Sequence, residues 1–323
     1  MCQTAVFYGE ALSRYGFGGS HPLGTDRLGA FWNKLQNENL TNVVVEEPVL
    51  GTDQDALSFH DIEYVELVKA ASKHGGVLLD TGDTPAFKGV FEASLYVIGS
   101  TLAALDMVMA RRDRAGRKID HAFNPIGGLH HARRDTAGGF CVFNDIGVAI
   151  LAARQKYGIK QTAYVDIDAH HGDGVFYEFE DDPLLFFADI HEDGRHLYPG
   201  TGSANEIGKG EAAGTKINIP LEPGAGDDEF IDAFGRIEKF INSIKPELII
   251  LQCGADGLAG DPITHLQYTT RAHRHAADVL HRLAHKHCNG RIVALGGGGY
   301  NRTNIGNAWT EVVKSFANND LIS

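Results

Sequence analysis

Short apolar runs in this chain end, one after another, on polar or glycine-rich patches. Thr162-Ala163-Tyr164-Val165 leads into Asp166-Ile167-Asp168-Ala169-His170-His171-Gly172-Asp173-Gly174. Leu248-Ile249-Ile250-Leu251 leads into Gln252-Cys253-Gly254-Ala255-Asp256, and Ile292-Val293-Ala294-Leu295 into four glycines followed by Tyr300-Asn301. Runs this short, bounded by turn residues, predict buried strands. His121–Phe123, Val43–Val45, Leu184–Ala188 and Lys216–Ile219 read the same way. Longer stretches with helical periodicity lie between them, at Phe91–Arg112, Asn144–Tyr157, Asp227–Ile244 and Thr270–His287. Alternation of strand and helix predicts an α/β fold, a largely parallel central sheet with helices on both faces. The polar patches then fall at strand carboxyl ends, where such folds carry their chemistry. No repeat, low-complexity tract or linker divides residues 1–323, so a single catalytic domain is expected.

The patches themselves suggest a metal site. If the strand ending near Val165 continues extended, Asp168 and His170 leave it on one side, with Asp166 behind them. A plain helix N-cap needs one Asp, not three acids and two histidines within eight positions. With Asp256 from the second patch, Asp168 and His170 make three ligands and an open position for water, the arrangement of a catalytic zinc. His130-His131 sits between Gly127-Gly128 and Gly138-Gly139. Adjacent histidines on an extended segment point apart, so a shared role requires a turn there; a histidine titrating near neutrality is the usual proton shuttle. The four glycines lack the Lys-Ser/Thr of a phosphate loop, but they deliver a phenol, Tyr300, suited to donate to an oxyanion.

In combination these stretches resemble the zinc-dependent histone deacetylase family, in its bacterial acetoin-utilization and amidohydrolase branch. The motifs are Gly128-Leu129-His130-His131, Gly138-Gly139-Phe140-Cys141, the run from Asp166 to Gly174, Gly254-Ala255-Asp256 and Gly299-Tyr300. The resemblance runs from His21-Pro22 to Asn301 and implies a single-domain arginase/deacetylase-like fold. It implies zinc on Asp168, His170 and Asp256. It also implies His131 as base then acid backed by Asp173, His130 as electrostatic support backed by Asp166, and Tyr300 polarising the amide carbonyl. The order of proton transfer between the two histidines stays open. Phe140 and Tyr198 match the aromatic walls of an acyl-lysine channel, Gly139 its floor, Asp83 a rim acid that holds the substrate backbone, and Arg27 an arginine where acetate leaves. A monovalent cation, potassium, is implied beside Asp166, Asp168, His170, Asp189 and Ile190. Three positions depart from the common pattern: Leu129 for Trp, Tyr198 for Phe, and Asp189 for Ser, the last expected to alter ion affinity.

Composition narrows the partners. With 29 basic and 42 acidic residues the net charge is −13, which argues against a nucleic-acid surface. Four cysteines without paired spacing read as reduced thiols of a cytoplasmic protein. Cys2 to Glu10 lacks the basic start and apolar run of a signal peptide. No run is expected to supply the ~20 apolar residues of a membrane span. Nothing in the pattern specifies an oligomeric state. A helical segment holds His273, His275, His281, His285 and His287, with His281 and His285 at i, i+4, a spacing that can bind metal. Arg271, Arg274, Arg282 and Lys286 around them make a solvated face the expectation.

Two rivals belong to other classes. An arginase-like ureohydrolase would hold two manganese ions, but Gly172 and Gly254 stand where a second ion would want Asp. A silent metal-binding scaffold would be expected to lack a ligand, the His pair or Tyr300, and none is lacking. The reaction predicted is metal-assisted hydrolysis of an acetylated amine to acetate and free amine. Acetyl-lysine in proteins or peptides is favoured over acetylated polyamines and other small amides, because the apolar Ile263 follows Gly260-Asp261-Pro262 where one polyamine-specific branch carries an acid.

Overall fold

The computed structural model describes residues 2–322. Its strands are β1 (Thr4–Phe7), β2 (Val43–Glu46), β3 (His121–Asn124), β4 (Thr162–Asp166), β5 (Leu185–Glu192), β6 (Lys216–Leu221), β7 (Leu248–Gln252) and β8 (Ile292–Leu295). They form one sheet in the order β2-β1-β3-β8-β7-β4-β5-β6, and every pairing is parallel. A parallel sheet is covered on both faces, which is why its central strands are buried on both sides rather than alternating. β1, β3, β4, β7 and β8 are buried along their whole lengths.

Helices Arg27–Leu35, Asp227–Ile244, Thr270–Cys288 and Arg302–Phe316 pack together as one layer, and Val90–Ala110 and Asp145–Tyr157 belong to the other. The first layer is keyed to the sheet by aromatic contacts. Phe31 meets Phe123 of β3 edge-on with centroids 5.4 Å apart, and Trp309 lies 5.8 Å from Phe31. Such pairs contribute about 0.5–1.5 kcal/mol beyond the area they bury. Helix 90–110 has the length and hydropathy of a membrane span, contrary to the expectation that no segment would. It packs against β3 and helix 145–157, with 72% of its most apolar window buried, so its composition is that of a core helix.

All seven expected strands are present, and β1 is an eighth that the pattern did not disclose. It is as short as β2, β3 and β8, but Tyr8 extends its apolar run and no cluster of acids, histidines or glycines follows to mark its end. Helix 302–316 was also unread, although Ile305, Ala308, Trp309, Val312, Val313 and Phe316 lie on its buried side.

Register explains where function gathers. Asn124, Leu295, Gln252, Asp166 and Asp189 pair successively across β3, β8, β7, β4 and β5. This mostly polar row is the carboxyl edge of the sheet, and the candidate residues leave from it.

Candidate active site

The four central strands supply the site. The loop after β3 carries His130 and His131, the loop after β4 Asp168 and His170, the short helix 173–176 that follows it Asp173, the loop after β7 Asp256, and the glycine turn after β8 Tyr300. β4 ends at Asp166, so strand alternation is not what brings Asp168 and His170 together, as had been expected. Aspartate side chains turn the chain instead. The Asp168 N–H donates to Asp166 Oδ1 at 3.1 Å, and the His170 N–H to Asp168 Oδ1 at 3.0 Å.

His170 Nδ1 lies 3.2 Å from Asp168 Oδ1 and 3.0 Å from Asp256 Oδ2, and all three groups are buried. Their donor atoms lie within 4.8 Å of one another. Two carboxylates against one imidazole are short of positive charge. The protein answers with protons: despite burial, which acts downward, the carboxylates push His170 up to about 10, while burial and Asp168 push Asp256 up to about 7. A divalent cation on these donors supplies that missing charge, so the residues fit a metal. The ligands are held from behind. Asp168 Oδ2 accepts from Gln252 Nε2 at 2.7 Å and the Gly298 N–H at 2.8 Å, and Asp256 Oδ1 accepts from the Ala169 N–H at 2.9 Å. A Cβ on Gly254 would stand 2.1 Å from Asp168 Oδ2, and one on Gly172 2.6 Å from Asp166 Oδ2. Neither position has room for the extra carboxylate of a two-metal site.

The turn required at the histidines is present. Gly128 has φ +92°, the His130 N–H donates to the Gly128 carbonyl at 2.9 Å, and the two rings lie 4.0 Å apart. His130 Nδ1 meets Asp166 Oδ2 at 2.8 Å, and His131 Nδ1 meets Asp173 Oδ1 at 2.7 Å. Arg133 holds the other oxygen of Asp173 at 2.9 Å. The two pairs differ electrostatically. Burial lowers both imidazoles, but Asp166 and Asp168 raise His130 to about 9, whereas burial and the neighbouring His130 hold His131 down to about 4. Asp145 fixes this loop by accepting from the Gly128 and Leu129 N–H groups at 3.1 and 2.9 Å.

A pocket of about 370 Å³ opens above the site, lined by His21, Asp83, Gly139, Phe140, Tyr198, Ile263 and Tyr300 among others. Phe140 and Tyr300 meet edge-on at 5.8 Å, and Tyr198 stands 5.1 Å from the His131 ring. Phe140 adopts φ +68°, costly for a bulky side chain, and is held there from both sides. Its N–H donates to Thr84 Oγ1 at 3.0 Å, and its carbonyl accepts from the Tyr15 hydroxyl at 2.8 Å. Gly139, at φ +50°, passes so close to His131 that a Cβ would lie 2.3 Å from the ring. Asp83 is exposed at the mouth, and Ile263 is half-buried beside it. Burial, and then the Tyr300 environment of Asp256 and Asp168, push the phenol well above its usual value, so it stays a donor.

Arg27 is buried behind the glycine turn. It donates from Nε to the Gly299 carbonyl at 3.0 Å and also bonds Gly297, which itself lines, with Leu129, His130 and Gly298, an inner cavity of about 10 Å³. Asp189, within β5, is matched by a partner the sequence did not foretell: its Oδ1 meets His191 Nδ1 at 2.7 Å and its Oδ2 accepts from the Gly172 N–H at 2.9 Å. Ile190 is buried beside it in β5.

Two residues without an expected role emerge. Gln252 braces Asp168, and Asp261 accepts from the Tyr300 N–H at 2.9 Å and the Ile263 N–H at 3.1 Å. Gln252 is the last residue of an apolar strand, a polar side chain where the run predicts none, and that was the available signal.

Comparison with known proteins identifies first the fold and then the family. The crystal structure of the HDA15 HD domain aligns with a TM-score of 0.87 at 28% identity, over 98% of this chain and 88% of that one. It shares the arginase/deacetylase type of α/β sheet. A model of the histone deacetylase domain matches residues 21–316. The acetoin utilization protein AcuC of Bacillus subtilis (strain 168) is 36% identical over 98% of this chain and 81% of its own length. That of Staphylococcus aureus (strain MRSA252) is 32% identical over 100% and 84%. The chain belongs to the histone deacetylase family, whose activity is amide hydrolysis by deacetylation.

Proposed function

We propose that the protein hydrolyses the amide of an acetylated amine, acetyl-lysine in a protein or peptide foremost, with one zinc ion held by Asp168, His170 and Asp256. The observation that carries this reading is the meeting of that trio, two His–Asp pairs and Tyr300 at the foot of one aromatic-walled pocket.

When bound, the ion supplies Lewis acidity to the carbonyl and the attacking water. His131 is neutral at pH 7, its Nδ1–H held by Asp173, so its free nitrogen accepts the water proton. His130, drawn toward the imidazolium by Asp166 and Asp168, opposes the negative charge that develops. The Tyr300 hydroxyl donates to the oxyanion. His131 then returns its proton to the leaving amine. Phe140 and Tyr198 sheathe the aliphatic stem, and Asp83 accepts from the substrate backbone at the rim. We include a potassium ion beside Asp166, Asp168, His170, Asp189 and Ile190 in the proposal; the density of buried carboxylate there supports it.

The test is turnover of an acetyl-lysine peptide and of acetylspermidine by metal-stripped protein to which zinc is returned. The expected result is zinc-restored activity that favours the peptide. Asp168→Ala and Asp256→Ala should each lose one equivalent of metal together with activity. Strong preference for acetylspermidine would move the assignment to polyamines, and urea release from arginine with manganese would overturn it.

A further inference from the structure

We propose that Cys2, His121, His281 and His285 form a second metal site, a closed four-ligand zinc site that fastens three segments at the end of the sheet opposite the catalytic pocket. Cys2 precedes β1, His121 opens β3, and His281 and His285 lie one turn apart on helix Thr270–Cys288. The helical face expected to be solvated is therefore the packed one. His281 is fully buried and His285 partly so, while Arg282 and Lys286 point outward.

One donor atom from each of the four residues falls within 4.8 Å of the others. Cys2 Sγ is 3.3 Å from His285 Nε2, which is 3.3 Å from His121 Nε2. Tetrahedral zinc, with Zn–N near 2.0–2.1 Å and Zn–S near 2.3 Å, spaces its ligand atoms about 3.3–3.6 Å apart.

Hydrogen bonding alone leaves the cluster unsatisfied. His121 Nδ1 lies 2.8 Å from the Gly290 carbonyl, and His281 Nδ1 2.9 Å from the Ser315 carbonyl. A carbonyl can only accept, so both rings carry their proton on Nδ1 and present a bare lone pair at Nε2. Backbone acceptors of this kind orient metal-binding imidazoles. His285 Nε2 faces Cys2 and His121 at once, and one nitrogen has one proton or one lone pair to offer. Among the described residues His281 Nε2 has no hydrogen-bond partner, and it is sealed from solvent. A buried acceptor left open calls for a bound ion or water, and a cation takes all four lone pairs together. Binding converts the Cys2 thiol to thiolate, and its proton goes to solvent. The resulting Cys/His₃ set contains no open position for substrate, unlike Asp168, His170 and Asp256.

The thiolate distinguishes the two sites. Metal-free full-length protein is titrated with Co²⁺ and followed by absorption and by bound metal per chain. The expected result is two equivalents, with a thiolate-to-cobalt charge-transfer band in the near ultraviolet. Cys2→Ser should lose that band and one equivalent. Asp256→Ala should lose the other equivalent and keep the band, so failure of the catalytic-site reading would not imitate failure here. His285→Gln, at a half-buried position, provides a second variant should Cys2→Ser not fold, and should also lose the band. Absence of the band in the wild type, or its survival in Cys2→Ser, would overturn the proposal.

Discussion

At the scale of single residues, this site depends on what is missing as much as on what is present. Tyr300→Phe keeps the ring that packs on Phe140 and removes only the donor. Turnover should fall on the order of 10²–10³-fold with metal content unchanged. Near wild-type turnover would remove Tyr300 from the mechanism. Gly254→Ala tests the opposite kind of contribution. The new methyl would stand 2.1 Å from Asp168 Oδ2, and Asp168 cannot retreat without losing Gln252 and the Gly298 N–H. We expect weakened metal binding at the catalytic site, read by competition with a chelator, while the fold persists. Retention of metal as tight as in the wild type would show that the loop yields instead. The acids and histidines of the candidate site were legible because they break apolar runs. Gln252 and Asp261 were not, because an amide or an acid that braces another side chain has no spacing of its own.

At the scale of elements, β-strands could be read wherever four apolar residues met a turn, and their carboxyl ends gave the site. The short β1, fixed by pairing with β2 and β3, and the helices at 53–57 and 62–71, packed on helix 90–110, escaped because tertiary contacts rather than a local period set them. One such contact is testable through pH. His60, just before helix 62–71, is buried; its Nε2 accepts from the Asn144 N–H at 2.9 Å, and Nδ1 faces the Arg134 carbonyl at 3.3 Å. Asn144 in turn caps helix 145–157 through the Gly147 N–H at 2.9 Å and holds the Ala132 carbonyl at 2.8 Å, next to the catalytic histidines. Burial lowers His60 from 6.5 to about 4. The folded state then binds fewer protons than the unfolded one between those two values. The stability due to neutral His60 is complete above pH 6.5 and is lost as pH falls toward 4. The loss amounts to about 3 kcal/mol at the acid end. Urea unfolding from pH 7 to 4 should show this slope added to that of other buried histidines such as His131, and His60→Gln should reduce it by His60's share. An unchanged slope in the variant would assign the acid sensitivity elsewhere.

At the scale of the whole molecule, charge sets how substrate arrives. The chain carries 42 acidic against 29 basic residues; Asp83 lines the pocket, and Asp80 on the same loop lines the cleft adjoining it. Glu192, the last residue of β5, is buried and bonded to His265 at 2.7 Å, so it offers nothing to solvent. The remaining field should concentrate cationic peptides at the pocket, and such steering can change association rates by roughly 10–10³-fold. A peptide with lysines flanking the acetyl-lysine should therefore exceed its glutamate-flanked counterpart in kcat/KM at 0.01 M salt. Screening shortens from about 30 Å there to about 3 Å at 1 M, so the ratio should approach one as salt is raised. Asp80→Asn with Asp83→Asn separates the local from the global contribution. The salt-dependent part that survives in the double variant belongs to the net charge, and the part that vanishes belongs to the rim. A ratio that ignores salt would mean that substrates are sorted by contacts inside the channel, with Ile263 and Tyr198 the first to replace.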